Sequence, residues 1–153
     1  MPVATGFTVA VWVQTTKASG TLLSFRHTED EGAVLDLTVE GGKAGITLRS
    51  DRNVFIPFQL AGGKIDDGAW HHVLVLRQEN GRVELCVDGA VVQEGASSGG
   101  SITTNWHTLG RERYWVEAKP GPGDPHFEGC LDELCVFKRA LDPEEIRKLA
   151  GQE

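Results

Sequence analysis

The sequence predicts an all-β fold, a sandwich of two antiparallel sheets with one short helix at its C-terminal end. Segments rich in β-branched and aromatic residues recur along the chain, and turn signals separate them roughly every ten residues. Helical signals occur in a single stretch close to the C-terminus. The chain has 153 residues with no internal repeat, so residues 1–153 are expected to form a single domain around one core.

The first expected strand, residues 7–13, has apolar side chains on both faces. Phe7 and three valines share one side, and Thr8, Ala10 and Trp12 share the other, as in a strand that is covered on both faces of a sandwich. The other expected strands are 21–26, 33–39, 44–49, 53–60, 72–77, 82–87, 90–93, a short one within 102–110, and 131–137.

Two turn signals refine this list. Asn80-Gly81 separates the sixth and seventh expected strands and predicts a hairpin with a type I′ turn. Pro57 lies inside the fifth expected strand, and because proline cannot donate to a sheet ladder, it predicts an edge position or a bulge there.

The C-terminal helix is predicted from its borders. A side chain that can accept from the first turn, a proline at the first helical position and a reciprocal acid together form an N-terminal capping box. A flanking apolar pair has the spacing of a hydrophobic staple, and a glycine follows the last turn. These residues are Asp142 (N-cap), Pro143, Glu145 (capping box), Leu141 with Ile146 (staple) and Gly151 (C-terminal cap).

Composition excludes several function classes. The net charge is −7 and the 15 Lys and Arg residues are scattered, which argues against nucleic acid and anionic membrane surfaces as partners. No apolar run is long enough for membrane insertion. The first residues lack the pattern of a signal peptide, so we expect either a cytoplasmic protein or a domain of a longer secreted chain.

Four segments carry a family resemblance. Residues 127–146 read F-x-G-x-x-D-E-x-x-V-F-x-R-A-L-x-x-x-E-I, and they follow, in order, residues 7–13, Trp70-His71-His72-Val73 and Val87-Asp88-Gly89. This pattern resembles the laminin G-like and pentraxin-like jelly rolls of the concanavalin A-like lectin and glucanase superfamily. The resemblance implies a concanavalin A-like jelly-roll sandwich, a fold shared by lectins, adhesion modules and enzyme appendages.

The resemblance also implies an additional N-terminal strand, for which the six residues before Phe7 leave no room. We therefore expect a truncated chain or a sheet that lacks one edge strand. An uncovered edge would allow a homo-oligomer to form by strand pairing.

Three cysteines, Cys86, Cys130 and Cys135, leave at least one thiol unpaired. Cys86 and Cys135 lie in expected strands and could pair across them, but buried free thiols are the favoured interpretation. In pentraxins a disulfide joins two strands, and the positions here that match it are Ala10 and Leu74, so that bridge is absent.

A catalytic carboxylate pair is not expected. Glycoside hydrolysis needs two carboxyl groups that flank one bond, and on a strand they share a face only at even spacing. Glu128, Asp132 and Glu133 depart from the glucanase spacing, and the two adjacent acids are expected on opposite faces. Asp36 and Glu40 have a compatible spacing, but Glu40 belongs to a turn. We therefore expect no enzyme, with a diverged glycoside hydrolase as the weaker alternative.

No cofactor is expected, although a structural calcium ion is an alternative. The stretch that matches the double-calcium site of pentraxins, residues 109–114, retains only Glu112 as an oxygen ligand. A different single calcium could be held by Asp132 or Asp124. The favoured interpretation of Asp132 is instead a hydrogen bond to neighbouring backbone.

The best candidate for a ligand-binding surface is the long loop 111–126 with the residues beside it. Its aromatic side chains could stack on a sugar or on apolar groups of a protein, and its charges could orient the ligand. The candidate ligand-binding residues are Trp106, Arg111, Tyr114, Trp115 and His126. The alternative is that Trp106 and Trp115 fold back to cap the sandwich. Trp12 and Trp70 are expected in the core, with His72 satisfied inside the sandwich beside Trp70.

The sequence therefore predicts a non-catalytic binding module that recognises a glycan or a protein partner through loops at one end of the sandwich. A structural or oligomerisation domain appended to a larger protein is the alternative. We expect an extracellular or cell-surface location as part of a longer chain, with a cytoplasmic location as the other interpretation.

Overall fold

The computed structural model describes residues 5–27, 32–51, 57–97, 99–111 and 126–152. Within these ranges the chain forms ten strands and one helix. The strands are β1 (Phe7–Gln14), β2 (Ser19–Arg26), β3 (Val34–Glu40), β4 (Lys43–Arg49), β5 (Phe58–Lys64), β6 (Trp70–Arg77), β7 (Arg82–Val87), β8 (Ala90–Ala96), β9 (Trp106–Leu109) and β10 (Cys130–Phe137), and helix α1 spans Pro143–Leu149. No helix in these ranges is long and apolar enough to cross a membrane.

The strands form two antiparallel sheets of five strands each. Sheet 1 has the order β10-β1-β6-β7-β8, and sheet 2 has the order β5-β4-β3-β2-β9. The chain changes sheets after β1, β5, β8 and β9, so that each sheet contains strands from distant parts of the sequence. The predicted jelly-roll sandwich with one C-terminal helix is confirmed.

The main core lies between the two sheets, and a second apolar cluster lies on the outer face of sheet 1. The inward-facing residues of β1, among them Phe7 and Val9, pack against the inner face of sheet 2. Ala10 and Leu74 face outward, are cross-strand partners, and pack with Leu141 and Ile146 beneath the C-terminal helix. The alternation in β1 is thus explained, because the helix covers the second face of the strand.

The capping signals of α1 are confirmed. The Asp142 side chain accepts from the backbone N–H of Glu145 at 2.9 Å, and the Glu145 carboxylate accepts from the backbone N–H of Asp142 at 2.9 Å. The staple residues Leu141 and Ile146 are both buried in the same cluster. Gly151 has φ 73° and follows the helix, as a left-handed C-terminal cap requires.

The hairpin between β6 and β7 differs from the predicted type I′ turn. A type I′ turn needs positive φ at both central residues, but of Asn80 and Gly81 only Gly81 has it, at 93°. The backbone N–H of Gly81 donates to the carbonyl of Gln78, and the backbone N–H of Gln78 donates to the carbonyl of Arg82. The connection is therefore a three-residue loop that ends in a left-handed glycine.

Strand β5 begins later and ends later than predicted. Pro57 immediately precedes it, and β5 is an edge strand of sheet 2, as the proline predicted. Gly62 and Gly63, which lie beyond the predicted end of the strand, belong to β5. A Cβ on Gly63, which has φ 70°, would lie 2.7 Å from the Cγ2 of Val87, so a glycine lets β5 approach sheet 1 closely.

The three cysteines are free thiols, but the favoured interpretation of buried free thiols holds for Cys86 alone, since Cys135 is partly buried and Cys130 is exposed. Cys135 on β10 and Cys86 on β7 both face the second cluster. They are three strands apart, because Cys135 pairs with Ala10, Ala10 with Leu74, and Leu74 with Cys86. Three strand spacings amount to roughly 14 Å, which is far beyond the reach of a disulfide. Burial raises the pKa of the Cys86 thiol to about 12, so it stays protonated.

Candidate functional site

Trp106 opens β9 at the free edge of sheet 2 in the described structure, and 36% of its surface is exposed. Arg111 lies two residues after Leu109, the last residue of β9, and the side chain of His126 is exposed. The other predicted residues, Tyr114, Trp115 and Asp124, lie outside the described residues, so their role as ligands stays a prediction.

The two ends of segment 111–126 are held together against β2. The backbone N–H of Phe127 donates to the carbonyl of Gly110 at 2.8 Å, and the backbone N–H of Gly110 donates to the carbonyl of Leu22 at 2.9 Å. Gly20 permits this approach, because a Cβ there would lie only 3.0 Å from the Cα of Phe127. Arg111 and His126 therefore emerge at the same edge of sheet 2.

A polar network lies on the outer face of sheet 2 next to Trp106. The carboxylate of Asp36 accepts from the hydroxyl of Ser24 at 2.5 Å and from a guanidinium N–H of Arg26 at 2.5 Å. The Nε of Arg26 also donates to the Ser24 hydroxyl at 3.1 Å. Arg26 is the cross-strand partner of Trp106, so the indole lies beside this network. Ser24 and Asp36 are themselves buried, at 0% and 6% exposure, and the Arg26 side chain is 21% exposed.

Sequence reasoning missed Ser24, Arg26 and Asp36 as members of this site. Their spacing in β2 and β3 places polar residues on alternate positions, but only the register Ser24↔Asp36 and Arg26↔Trp106 shows that they meet. We define the sheet 2 site as Trp106 with Arg26, Ser24 and Asp36, together with the adjacent ends of segment 111–126.

Asp36 is the one carboxylate among the described members of the sheet 2 site. Glu40 is the last residue of β3 and not part of a turn as predicted, and it lies on the same face as Asp36, but four residue steps along the strand separate the two by roughly 13 Å. Glycosidase carboxyl groups stand about 5 to 9.5 Å apart. Asp36 is moreover bound to Arg26 and Ser24, which fits a positioning role for this carboxylate.

The prediction that Asp132 and Glu133 lie on opposite faces is wrong. The register between β1 and β10 shifts between Ala10 and Trp12, so two residues of β10 oppose one of β1, and Glu133 has φ 50°. Such a bulge re-aims the side chains of its strand. Asp132 and Glu133 both line one open groove of about 350 Å³ on the outer face of sheet 1.

The prediction that Trp70 lies in the core is also wrong. Trp70 is 42% exposed and lines the same groove, together with the half-buried Trp12. The two residues are diagonal neighbours on the outer face of sheet 1, because Trp12 pairs with His72 and Trp70 with Gln14. Helix α1 covers this face only farther along the strands.

His72 packs against Trp12 on the outer face of sheet 1, and not inside the sandwich as predicted. Its ring meets the Trp12 ring edge-on with 5.0 Å between centroids. The residue is 2% exposed, and its Nδ1 has no hydrogen-bond partner among the described residues, so it is not satisfied beside Trp70 as predicted. Burial lowers the pKa of His72, and the ring is therefore neutral at physiological pH.

His71 is clamped by two carboxylates on the other side of β6. Its Nδ1 lies 2.8 Å from a carboxylate oxygen of Asp88, and its Nε2 lies 2.8 Å from one of Asp67. Burial alone would lower the pKa of His71, but the hydrogen bonds to Asp88 and Asp67 together raise it. Because both ring nitrogens donate to carboxylates, the clamp holds an imidazolium, which is not free to bind a metal.

A calcium site is not visible among the described residues, where no three acidic, histidine or cysteine side chains converge as metal ligands would. The carboxylate of Asp132 accepts from the backbone N–H of Glu133 at 2.8 Å, the hydrogen bond that was the favoured interpretation. Asp124 lies outside the described residues. Calcium at these two residues stays a prediction.

Several solved structures share the fold. The Ruminococcus gnavus IT-sialidase CBM40 has a TM-score of 0.75 at 17% identity, over 96% of this chain and 83% of that one. Mouse laminin alpha1 chain domains LG4-5 have a TM-score of 0.71 at 16% identity, over 91% of this chain and 37% of that one. The botulinum neurotoxin serotype G binding domain has a TM-score of 0.69 at 11% identity, over 98% of this chain and 37% of that one.

The chain thus spans little more than a third of the laminin and neurotoxin chains. A search of curated proteins found no match. A laminin G-type family model, described as the concanavalin A-like lectin/glucanases superfamily, matches residues 1–147. The chain therefore belongs to the laminin G-like branch of this superfamily.

Proposed function

We propose that this chain is a non-catalytic binding module that recognises a glycan or a protein partner through the sheet 2 site. The observation that carries the proposal is the exposed indole of Trp106 beside the ordered Arg26–Asp36–Ser24 network. An indole face stacks on the C–H groups of a sugar or on apolar side chains. The partly exposed guanidinium of Arg26, held in place by the buried Asp36 and Ser24, can orient polar groups of the ligand beside it.

The order of the network favours binding over chemistry. Asp36 is held by two hydrogen bonds of 2.5 Å, so its geometry is fixed before a ligand arrives and little entropy is lost on binding. A catalytic carboxylate would need a partner across the scissile bond, and Glu40 is too distant to serve. The predicted contributions of Arg111, Tyr114, Trp115 and His126 extend the same surface along segment 111–126.

The structural relatives support a glycan as the first ligand to test. One of them is a sialidase carbohydrate-binding module that was also solved with α2,3 sialyllactose bound, with a TM-score of 0.71 and 17% identity over 95% of this chain and 83% of that one. Others are domains of laminin and of a neurotoxin binding region. The same relatives favour an extracellular or cell-surface location, and the chain would act there as one domain of a longer protein.

A second candidate function, assembly through a sheet edge, is favoured by β10. This strand ends sheet 1 in the described structure, and its residues Leu134 and Val136 are exposed. Unpaired backbone groups next to exposed apolar side chains can pair with another chain. A structural or oligomerisation domain would use this edge and need no ligand.

The test is glycan-array screening followed by titration calorimetry with the best ligand and with α2,3 sialyllactose. Trp106→Ala is expected to weaken binding about tenfold or more, since a central aromatic residue often carries a large share of the affinity. Trp70→Ala is the matched control, because it removes an exposed indole from the opposite face and should leave the affinity unchanged.

Unchanged affinity in Trp106→Ala, or an equal loss in Trp70→Ala, would contradict the sheet 2 site. No binding to any glycan, together with concentration-dependent oligomers in sedimentation, would favour assembly through β10. The titrations are repeated with EDTA and with calcium, and a calcium requirement that Asp132→Asn abolishes would support the predicted calcium site at Asp132 and Asp124.

A further inference from the structure

We propose that the groove formed by Trp12, Trp70, Asp132 and Glu133 on the outer face of sheet 1 is a second binding site, which takes the ammonium group of a lysine side chain presented by a partner polypeptide. This groove lies on the face opposite to the sheet 2 site. It is independent of the proposed function, and neither site shares a residue with the other.

The composition of the groove selects for an organic cation. Two indole rings present negatively polarised faces, which attract an ammonium group within about 6 Å of the ring centre. Two carboxylates line the same space and repel anions. An inorganic divalent cation would use the carboxylates but gain little from the indoles. A neutral sugar could stack on the indoles and donate its hydroxyls to the carboxylates, but it lacks the attraction between opposite full charges that an ammonium group adds. An alkylammonium group uses both.

No cation of the chain itself occupies the groove in the part of the structure that is described. Asp132 and Glu133 are both exposed, and neither has a lysine, arginine or histidine partner there. The acidic Glu128, by contrast, forms an ion pair with Lys17 at 3.5 Å. His72 beneath Trp12 is buried among apolar neighbours and adds no charge. The two carboxylates are therefore available to a cation from outside.

The geometry of both acids is set by the bulge. Consecutive residues of a regular strand point to opposite faces, so only an irregularity can direct both carboxylates into one groove. The left-handed backbone of Glu133, at φ 50°, provides that irregularity, and the Asp132 carboxylate is fixed by the Glu133 N–H at 2.8 Å. Trp12 is oriented by its edge-on contact with His72.

A lysine side chain on a polypeptide fits the shape of this groove. The groove holds about 350 Å³, is open along the sheet face and lies beyond the part of the face that α1 covers. A single extended side chain can enter such a groove while its backbone stays outside. The four-carbon stem of lysine lies along apolar surface while its ammonium group reaches polar or charged atoms.

The test uses ¹⁵N-labelled protein of residues 1–153 and the peptide acetyl-Gly-Gly-Lys-Gly-Gly-amide. The chain has four tryptophans, whose indole N–H signals are assigned from single Trp→Phe variants. The lysine peptide is expected to shift the Trp12 and Trp70 signals with a Kd of about 1 mM, while the Trp106 signal stays in place. The same peptide with norleucine in place of lysine should bind at least about tenfold more weakly, because it keeps the apolar stem and lacks the charge.

Variants identify the groups responsible. Asp132→Asn and Glu133→Gln should each weaken the lysine peptide about fivefold, and Trp70→Ala about tenfold. Glu128→Gln is the matched control, because it removes an exposed acid that precedes β10 but does not line the groove, and it should leave the Kd unchanged. A rise in salt from 20 to 300 mM should weaken binding of the lysine peptide severalfold, since the carboxylates are exposed.

Three results would overturn the proposal. Equal binding of the norleucine and lysine peptides would show an apolar site without charge recognition. An equal effect of Glu128→Gln and Glu133→Gln would show attraction to the net negative charge instead of to the groove. Shifts of the Trp12 and Trp70 signals by calcium alone, with none by the peptide, would assign the carboxylates to a metal. Loss of glycan binding in Trp106→Ala with unchanged peptide binding would leave this proposal intact.

Discussion

Replacing Thr8 with valine should detach the C-terminal helix from β1 while the volume of the side chain is kept. The Thr8 hydroxyl donates to the carbonyl of Arg139 at 2.8 Å and accepts from the backbone N–H of Leu141 at 3.0 Å. Thr8 is fully buried, and so is Leu141, the residue that leads into α1. One hydroxyl thus satisfies two backbone groups at the point where the last strand turns into the helix.

The expected cost follows from these two groups. The Leu141 N–H would be buried without a partner, which costs about 1–3 kcal/mol, whereas the carbonyl of the exposed Arg139 can turn to water at little cost. Thr8→Val should therefore lower the free energy of unfolding by about 1–3 kcal/mol, and the melting temperature by roughly 2–12 °C for a domain of this size.

The measurement is urea unfolding followed by circular dichroism, with Thr8→Ser as the matched control. Serine keeps the hydroxyl and loses one methyl group, so its cost should be about 1 kcal/mol. A Thr8→Val variant that is as stable as the original chain, or more stable than Thr8→Ser, would refute this account of how the helix is anchored. The fluorescence of the four tryptophans, among them Trp12 on the same strand face as Thr8, reports whether the fold persists.

Two further predictions concern buried and clamped charges. The pKa of His71 is raised above its ordinary value of 6.5, and the hydrogen bond from His71 lowers the pKa of Asp67 below 3.8. The ion pairs of His71 with Asp67 and Asp88 therefore contribute fully to the stability of the fold between roughly pH 4 and 6.5. Its contribution should be lost as pH rises through the folded pKa of His71, and as pH falls through that of Asp67. The difference in melting temperature between the original chain and His71→Gln should shrink on both sides of that window; a constant difference from pH 4 to 9 would be inconsistent with the clamp. Arg77 is buried and donates to two backbone carbonyls at 2.8 Å and to the Ser97 hydroxyl at 3.0 Å. Arg77→Met should therefore cost about 3 kcal/mol or more in urea unfolding, and a cost below 1 kcal/mol would show that these acceptors find other donors.

The elements that the sequence predicted well are those whose signals are local. The capping box of α1 joins Asp142 and Glu145, which are three residues apart, so a short stretch of sequence is enough to predict it. The alternation of β1 likewise predicted which residues face the two apolar clusters. The hairpin was placed correctly, but its turn type depends on backbone angles at Asn80 that an Asn-Gly pair does not determine alone.

The acidic groove could not be predicted because it depends on pairing across the whole chain. Trp12 and Asp132 are cross-strand partners although 120 residues separate them, and the bulge at Glu133 is a property of that register. The exposure of Trp70 has a second nonlocal cause. Helix α1 has seven residues and is roughly 10 Å long, so it covers the Ala10 end of the outer face and leaves the Trp70 end open.

The sheet 2 site, like the groove on sheet 1, could be predicted only in part from the sequence. The sequence selected Trp106 because it lies just before a long loop, and the structure shows that the residue is 36% exposed; its role in binding stays a prediction. Arg26 and Asp36 lie near Trp106 in the fold. The alternation of β2 and β3 identifies these two residues as outward-facing, but it does not show which residues of other strands lie beside them. A sheet order that places β9 beside β2 brings them together, and no local signal encodes that order.

The two outer faces have different charge, and this difference limits which ligand each can bind. On sheet 2 the Asp36 carboxylate is already paired with Arg26, so an acidic sugar meets no uncompensated negative charge from this network. On sheet 1 two carboxylates share a groove without a cation in the described structure, and an anionic ligand would approach them at a cost. A sialylated glycan is therefore compatible only with the sheet 2 site. A lysine-bearing partner, by the same reasoning, gains from the groove on sheet 1 and finds an already neutralised carboxylate on sheet 2.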